Sequence, residues 1–230
     1  MIFNLNAGNI VAKLRVKFPP GSTVTITGNG LTFTARNESG DTEYTFMIPF
    51  PGDWVIAIVT PDGITTTQTV AIVPGVNQAV APAVKQYLFN NGDQCVAVTG
   101  GWERWGTFGD LNNNQINYGA DGDNSGGIVT KRQVTVPAWA KYWKGIGMHN
   151  GTSNSGSIWL RRSKDLNPQT RVICLSTDSL ANGVWGTVSS DVSSVVGQSL
   201  LVGEFIYGPH EGPSVNVHWK AMWFESDTAV

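Results

Sequence analysis

Short segments in which apolar and polar residues alternate recur along this sequence, and they restrict the folds open to the chain. Between Ile10 and Lys17, Ile, Ala, Leu and Val occupy every second position, with Lys and Arg among the residues between them. A period of two places apolar side chains on one face of a β-strand. The segment "TVTITGNGLTFTA" contains two such strands around "GNG", which tolerates positive φ and favours a tight hairpin. Because no comparable stretch has a helical period, the sequence predicts an all-β protein.

Composition agrees with this prediction and excludes some classes of function. Hydrophobic residues make up 41% of the 230 residues and charged residues 14%, with 27 glycines, which suits a compact all-β protein with many turns. The formal net charge of −2 argues against nucleic-acid binding through phosphate neutralisation. No apolar run reaches the roughly 18–20 residues that span a membrane, and the N-terminus lacks the pattern of a signal peptide. We therefore expect neither nucleic-acid binding, nor membrane insertion, nor export by the general secretory route.

The distribution of tryptophan divides the chain into two halves. Trp54 is the one tryptophan before the segment "VPGVNQAVAPAVKQY", and the other eight follow it. We place a domain boundary near residue 83. Six or so short strands in 1–83 predict an immunoglobulin-like β-sandwich, which resembles small Ig-like or carboxypeptidase-regulatory-like modules. About eight strands in 84–230 predict a C-terminal jelly-roll β-sandwich.

The segment "YLFNNGDQCVAVTGGW" at 87–102 carries a family resemblance. It is similar to a segment of virion-associated proteins of tail, fibre or decoration type, found in phages and prophages of Gram-positive gut bacteria. There it opens a jelly-roll or lectin-like domain, often after Ig-like modules. The resemblance implies a non-enzymatic virion protein, assembled in the host cytoplasm, with other virion proteins as partners and an N-terminal module for docking or spacing. Such proteins are commonly symmetric homo-oligomers, so we expect one here, while its number and a head or tail location stay open.

Aromatic and polar residues are concentrated in "GGWERWGTFGDLNNNQINYGADGDN", which we interpret as a long loop. Sugar rings stack on indole and phenol rings, and neighbouring amides and carboxylates bind their hydroxyls. The candidate glycan-binding residues are Trp102, Trp105, Tyr118, Asn114 and Asp110. The alternative is that these rings fill cores or subunit interfaces, as we expect for Trp219 and Trp223.

The same segment ends in a possible metal loop. Asp121, Asp123 and Ser125, followed by Gly126, match the first half of a calcium-binding EF-hand loop. The acidic residue required at the twelfth position is absent, because residue 132 is Arg, and no helices flank the segment. A calcium site completed by distant ligands is one interpretation, and a solvated turn is the other. No other cofactor is predicted.

The two cysteines do not form a disulfide framework. We expect Cys95 and Cys174 to be buried thiols, with a single bridge between them as the alternative. A nucleophilic cysteine needs a lowered pKa and a base. The three histidines, His149, His210 and His218, lie in no recognised cysteine-enzyme signature.

Glu204 is the unusual acidic residue. In "SLLVGEFIY" it alternates with apolar residues, and a buried carboxyl group is costly unless it is paired. We expect an ion pair with Arg161, Arg162 or Arg171, and we expect the segment "RRSKD" at 161–165 to be a solvated turn. A glycosidase would need two carboxyl groups about 5–10 Å apart. The acids that could supply them are Glu103, Asp110, Glu204 and Glu211.

Three hypotheses about function follow. The first is adhesion, in which the C-terminal domain binds host-surface polysaccharide or another glycan and the N-terminal module attaches it to the particle. The second is a purely structural virion component without a ligand, such as a head decoration protein, a head fibre or a tail part. The third is a glycan hydrolase. Solvent-exposed aromatics with polar neighbours would favour the first, and buried rings would favour the second.

Overall fold

β-strands make up nearly all of the regular structure in this protein, so the all-β prediction is confirmed. The computed structural model describes residues 12–38, 43–61, 63–79, 83–90, 96–106, 109–111, 115–121, 124–151, 156–206 and 215–227, without the side chains at 78, 79, 96, 109, 121, 124 and 215. The chain divides into two compact units, Met1–Lys85 with Ser226–Val230, and Gln86–Glu225. Among the described residues, no helix is long and apolar enough to cross a membrane.

The first unit contains seven described strands in two sheets. They are β1 (Ala12–Val16), β2 (Thr23–Gly28), β3 (Leu31–Arg36), β4 (Tyr44–Ile48), β5 (Gly52–Val59), β6 (Thr65–Ile72) and β7 (Gly75–Ala79). One sheet has the order β4-β1-β7 and the other β3-β2-β5-β6. All pairs are antiparallel except β1 with β7. The Ig-like arrangement of these strands stays a prediction.

The predicted hairpin and the predicted alternation are both present in the first unit. Asn29 and Gly30 connect β2 to β3 with φ of 49° and 75°. Two consecutive positive φ values are what a type I′ turn requires, and this turn matches the twist of paired strands. In β1, alternate side chains are buried from Ala12 to Val16, with Lys13 and Arg15 exposed. They contribute to a core with Val24, Ile26, Ile48, Trp54, Ile56 and Ile58.

The second unit contains twelve described strands. They are β8 (Lys85–Asn90), β9 (Trp102–Gly106), β10 (Gly109–Leu111), β11 (Ile116–Asp121), β12 (Asn124–Thr130), β13 (Val134–Thr135), β14 (Ala140–Gly151), β15 (Ser157–Arg161), β16 (Arg171–Ser176), β17 (Gly186–Asp191), β18 (Ser199–Ile206) and β19 (Val215–Ser226). They pair in the order β16-β15-β18-β12-β11-β19-β14-β17, and four more strands pair alongside: β9 with β12, β10 with β11, β13 with β18 and β8 with β19. The jelly-roll topology stays a prediction.

One part of the predicted secondary structure needs correction. The stretch at 100–124, interpreted as a long loop, contains β9, β10 and β11, because its residues pair with β12 and β19. Before it, the segment at 96–99 forms the short helix α1 (Val96–Thr99). Gly100 and Gly101, with φ of 69° and 89°, end this helix as glycines commonly do.

Large apolar side chains fill the second unit. Trp143 and Trp219 are fully buried and Trp223 is nearly so, which confirms the predicted core role of Trp219 and Trp223. At the end of β19, the Ser226 amide donates to the Val84 carbonyl at 3.0 Å, and the Val84 amide donates to the Ser226 hydroxyl at 3.0 Å. These bonds explain why the last residues of the chain group with the first unit.

The register of five strands positions the candidate site. Trp105 of β9 pairs with Gly127 of β12, and Trp159 of β15 pairs with Gly203 of β18. A Cβ atom on Gly127 would lie 2.1 Å from the Glu204 carbonyl oxygen, closer than any real contact. The pairing of β12 with β18 therefore admits only glycine at this position. Since cross-strand partners are side-chain neighbours, each of these indoles lies beside a position without a side chain.

Candidate functional site

One group of aromatic and charged side chains in the second unit combines burial with partial exposure. We call it the arginine–tryptophan cluster, and it consists of Trp105, Trp159, Arg161, Arg171 and Glu204. Strands β9, β15, β16 and β18 supply these residues. Charged pairs and ring contacts join them.

Glu204 holds the cluster together. Its residue exposure is only 3%, and its Oε1 accepts hydrogen bonds from Arg171 Nη2 at 2.8 Å, the Phe205 amide at 2.7 Å and Arg161 Nη1 at 3.4 Å. The predicted ion pair is therefore confirmed, and both Arg161 and Arg171 take part in it. Arg162, the third candidate, has an exposed side chain. Charge-assisted bonds of this kind offset the cost of burying a carboxylate.

Arg161 is fixed from two directions. Its side chain is 0% exposed, and Nη2 donates to the Asp165 carbonyl at 2.6 Å and to Thr170 Oγ1 at 3.1 Å. The segment at 161–165 is thus not a fully solvated turn as predicted. It folds back because the buried guanidinium requires acceptors on both sides.

Each half-buried tryptophan of the cluster has a guanidinium beside its ring. Arg161 Cζ lies 6.0 Å from the centroid of Trp105, and Arg171 Cζ lies 5.3 Å from the centroid of Trp159. Cation–π attraction favours this placement. Both rings retain solvent exposure, so the cluster presents aromatic surface and hydrogen-bond donors together. This combination can bind a ligand that has both apolar and hydroxyl-bearing faces.

A second group lies elsewhere in the same unit, and we call it the His218 group: Asn117, Trp185, His218 and Lys220. His218 Nδ1 is 2.6 Å from Asn117 Oδ1, its ring centroid is 6.4 Å from that of Trp185, and Lys220 Nζ is 4.0 Å from the Trp185 centroid. Partial burial lowers the pKa of His218. The predicted ligand residue Asp110 pairs with Asn117 and is exposed at the edge of this group.

Two of the predicted glycan-stacking residues are buried, which corrects the predicted ligand set. Trp102 is 4% exposed and Tyr118 is 1% exposed, so a ligand reaches neither ring face. The Tyr118 hydroxyl donates to the Ser157 carbonyl at 2.5 Å and accepts from Trp219 Nε1 at 3.4 Å. Burial raises the pKa of Tyr118 well above its ordinary value. Trp105 keeps its predicted position in a candidate site, and Asn114 lies outside the described residues.

The predicted calcium ligands stay largely untested. Asp123 and the side chain of Asp121 lie outside the described part of the chain, and Ser125 is half-buried on β12 opposite Ala120. Among the residues that the structure describes, no three His, Cys, Asp or Glu side chains are grouped as a metal site. Calcium binding therefore remains a prediction.

The groups considered for catalysis have other partners. Cys174 is a free, half-buried thiol whose pKa is raised to about 11, mainly by burial and then by Asp178. His149 Nδ1 lies 3.1 Å from Thr177 Oγ1. Glu103 binds Lys164, as Glu204 binds its two arginines. Asp110 is exposed on β10, and the candidates Cys95, His210 and Glu211 lie outside the described residues.

The sequence alone did not predict a ligand-binding role for Trp159, Arg161 or Arg171. The signal that could have found them is Glu204, since a carboxylate in an apolar strand requires cationic neighbours. Their proximity to Trp105 depends on the register of β9 with β12 and of β15 with β18.

No protein-family model matches this chain, and no curated protein matches it. Similar solved structures include a carbohydrate-binding module from the β-sandwich superfamily (14% identity over 88% of this chain and 84% of that chain, TM-score 0.33). They also include a glycoside hydrolase family 43 arabinoxylan arabinofuranohydrolase from Bacillus subtilis in complex with cellotetraose (14%, 94% and 54%, TM-score 0.35). A third is a protein of the Bacteroides ovatus mixed-linkage glucan utilization locus in complex with a mixed-linkage heptasaccharide (14%, 94% and 51%, TM-score 0.21). These sequence identities and TM-scores are too low to indicate a ligand for this chain.

Proposed function

We propose that this chain is a non-enzymatic adhesion protein of a phage particle that binds glycans through the arginine–tryptophan cluster. The observation that carries the proposal is the pair of half-buried indoles, Trp105 and Trp159, each beside a glycine and a guanidinium. One buried carboxylate, that of Glu204, binds both guanidiniums.

The chemistry of this cluster suits a saccharide. The C–H face of a sugar packs on an indole, while its hydroxyl groups accept hydrogen bonds from guanidinium donors. Trp105, Trp159 and Arg171 lie on strands, and Arg171 is further oriented by its bond to Glu204. Side chains held in this way lose little freedom when a ligand binds, which favours affinity.

The non-enzymatic part of the proposal is supported by the partners of the acidic residues. Glycoside hydrolysis uses one carboxyl group to donate a proton and another to attack or to activate water. Glu204 forms ion pairs with two arginines, and Glu103 forms an ion pair with Lys164. Both carboxylates therefore have cationic partners. A glycan hydrolase is therefore the less favoured alternative.

The virion setting is supported by the resemblance of 87–102 and by one surface of the first unit. Across β3, β2, β5 and β6, Thr32, Thr27, Val55 and Thr69 form a cross-strand row whose four side chains are exposed. An exposed, uncharged row that includes a valine suits contact with another virion protein. We propose that the first unit docks the chain to the particle, and that homo-oligomeric assembly multiplies the glycan sites and their avidity.

A binding screen on the full chain tests this function. Wall polysaccharides and oligosaccharides are titrated with and without calcium, and tryptophan fluorescence reports saturation. We expect binding that is lost in both Trp105→Ala and Trp159→Ala, with the folded state of each variant verified by circular dichroism. Trp185→Ala decides between the two groups, because loss of binding in that variant alone would place the site at the His218 group.

The second candidate is a purely structural virion component. The burial of Trp102 and Tyr118 favours it, because these rings serve the core of a single chain. In that case the folded chain would bind no glycan across a broad panel, and the same Trp105→Ala and Trp159→Ala variants would change oligomeric state or incorporation into particles instead.

A further inference from the structure

We propose that the arginine–tryptophan cluster selects anionic glycans, meaning saccharides that carry carboxylate or phosphate groups. This inference rests on the proposed function and names the ligand class of the same site. The cluster holds two guanidiniums and one carboxylate, so its own groups sum to one positive charge. A neutral sugar would leave that charge without a partner, whereas an acidic sugar would balance it.

The surroundings increase the positive charge. Between residues 161 and 171 the chain has four basic residues, Arg161, Arg162, Lys164 and Arg171, and one acidic residue, Asp165. Adding Arg104, Glu103 and Glu204 from the neighbouring strands gives five basic and three acidic residues. The whole chain has the opposite balance, with 15 basic and 17 acidic residues. The local surplus therefore does not follow from composition, and it would attract an anion to this part of the second unit.

Arg171 is the residue placed to contact the anion. Its side chain is 31% exposed, while that of Arg161 is 0% exposed, so solvent and ligands reach Arg171 first. Nη2 donates one of its two hydrogens to Glu204, and Nε is buried without a partner among the described residues. The donors left for a ligand are therefore at the terminal nitrogens Nη1 and Nη2, whose planar fork matches the two oxygens of a carboxylate or phosphate. The ring of Trp159, 5.3 Å from Cζ, can receive the sugar attached to that group.

A matched set of ligands tests the inference on the full chain. The probes are an oligogalacturonide, the same oligomer after chemical reduction of its carboxyl groups, and a glycerol phosphate oligomer. We expect at least about tenfold tighter binding of one of the two acidic oligomers than of the reduced one, the scale of a lost charged hydrogen bond. The preference should shrink as salt rises. The oligogalacturonide and the glycerol phosphate oligomer distinguish carboxylate from phosphate as the source of the anion.

Substitutions assign the preference to Arg171. Arg171→Gln should remove it, Arg171→Lys should keep a salt-dependent part of it, and Lys131→Gln, which removes one exposed positive charge from a turn of the same unit, should leave it unchanged. Equal binding of acidic and reduced oligomers, or an equal loss in Lys131→Gln and Arg171→Gln, would overturn the inference while glycan binding stands. Absence of binding to all three oligomers and to the wider panel would overturn the proposed function and the inference with it.

Discussion

Replacing Glu204 with glutamine is the most direct test of how the cluster is built. The substitution keeps the shape of the side chain and removes the carboxylate that binds both Arg161 and Arg171. Breaking a buried ion pair costs about 3–5 kcal/mol, because a charge stays buried without its partner. Arg161 is 0% exposed but keeps the Asp165 carbonyl and Thr170 as acceptors. We therefore expect Glu204→Gln to lower the free energy of unfolding by about 3 kcal/mol, the lower end of that range.

The two arginines should differ in cost because their exposure differs. Arg171 is 31% exposed, so water can solvate Glu204 and its surroundings when that guanidinium is removed. We expect Arg171→Gln to cost about 1 kcal/mol, the scale of a solvent-screened pair. Arg161→Gln removes a fully buried partner of Glu204 and should cost more, about 3 kcal/mol.

Urea unfolding of the full chain measures these differences. Eight of the nine tryptophans follow residue 100, so fluorescence reports mainly on the second unit. With a urea dependence of about 2 kcal/mol per M, a loss of 3 kcal/mol shifts the midpoint by about 1.5 M. The double variant with Arg171→Gln should be less destabilised than the sum of the two single variants. A shift in Glu204→Gln no larger than that in Arg171→Gln would refute the role of Glu204 as the shared buried counter-charge.

Three further perturbations have outcomes set by single residues. Folding lowers the pKa of His218 below its ordinary 6.5, so at pH values between the folded and the unfolded pKa the unfolded chain binds a proton that the folded chain does not. The free energy of unfolding should therefore fall as the pH drops through 6.5, and urea unfolding of His218→Gln should lack this part of the pH dependence. Cys174, with a pKa near 11 against an ordinary 9.0, should be alkylated about a hundredfold more slowly at pH 8 than in the unfolded chain, as read from its peptide by mass spectrometry. Gly127→Ala should cost at least about 1–3 kcal/mol in urea unfolding, because its Cβ would overlap the backbone at Glu204, whereas an unchanged midpoint would contradict this close approach.

Local patterns in the sequence predicted the local parts of the fold. The alternation at 12–16 produced β1, and the Asn29-Gly30 pair produced the hairpin, because both depend on neighbouring residues alone. The ion pair of Glu204 was predictable as well, since burial of a carboxylate in an apolar strand requires a cation wherever that cation comes from. The strands at 102–121 were missed because glycine and asparagine favour turns locally, while pairing with β12 and β19 decides the outcome.

The set of residues that forms the site could not be predicted from the sequence, and the physical reason is a different one. Trp105 and Trp159 are 54 residues apart in the sequence, and they become neighbours of one ion-pair network only through the pairing of four strands. A shift of one residue in any of these pairs would turn the side chains to the opposite face. Local composition therefore indicated Trp105, but nothing in the sequence connected it to Trp159 or Arg171.

The pairing of tryptophan with glycine links the stability of the sheet to the binding surface. A glycine inside a strand weakens it, and an aromatic side chain on the neighbouring strand can cover the exposed backbone and compensate. Gly127 and Gly203 lie inside strands where the neighbouring backbone is too close for a Cβ atom. Trp105 and Trp159 are their cross-strand neighbours. The indoles of Trp105 and Trp159 stay half-buried beside these glycines. The close strand pairing that only glycine permits therefore lies next to the aromatic surface that we assign to the glycan.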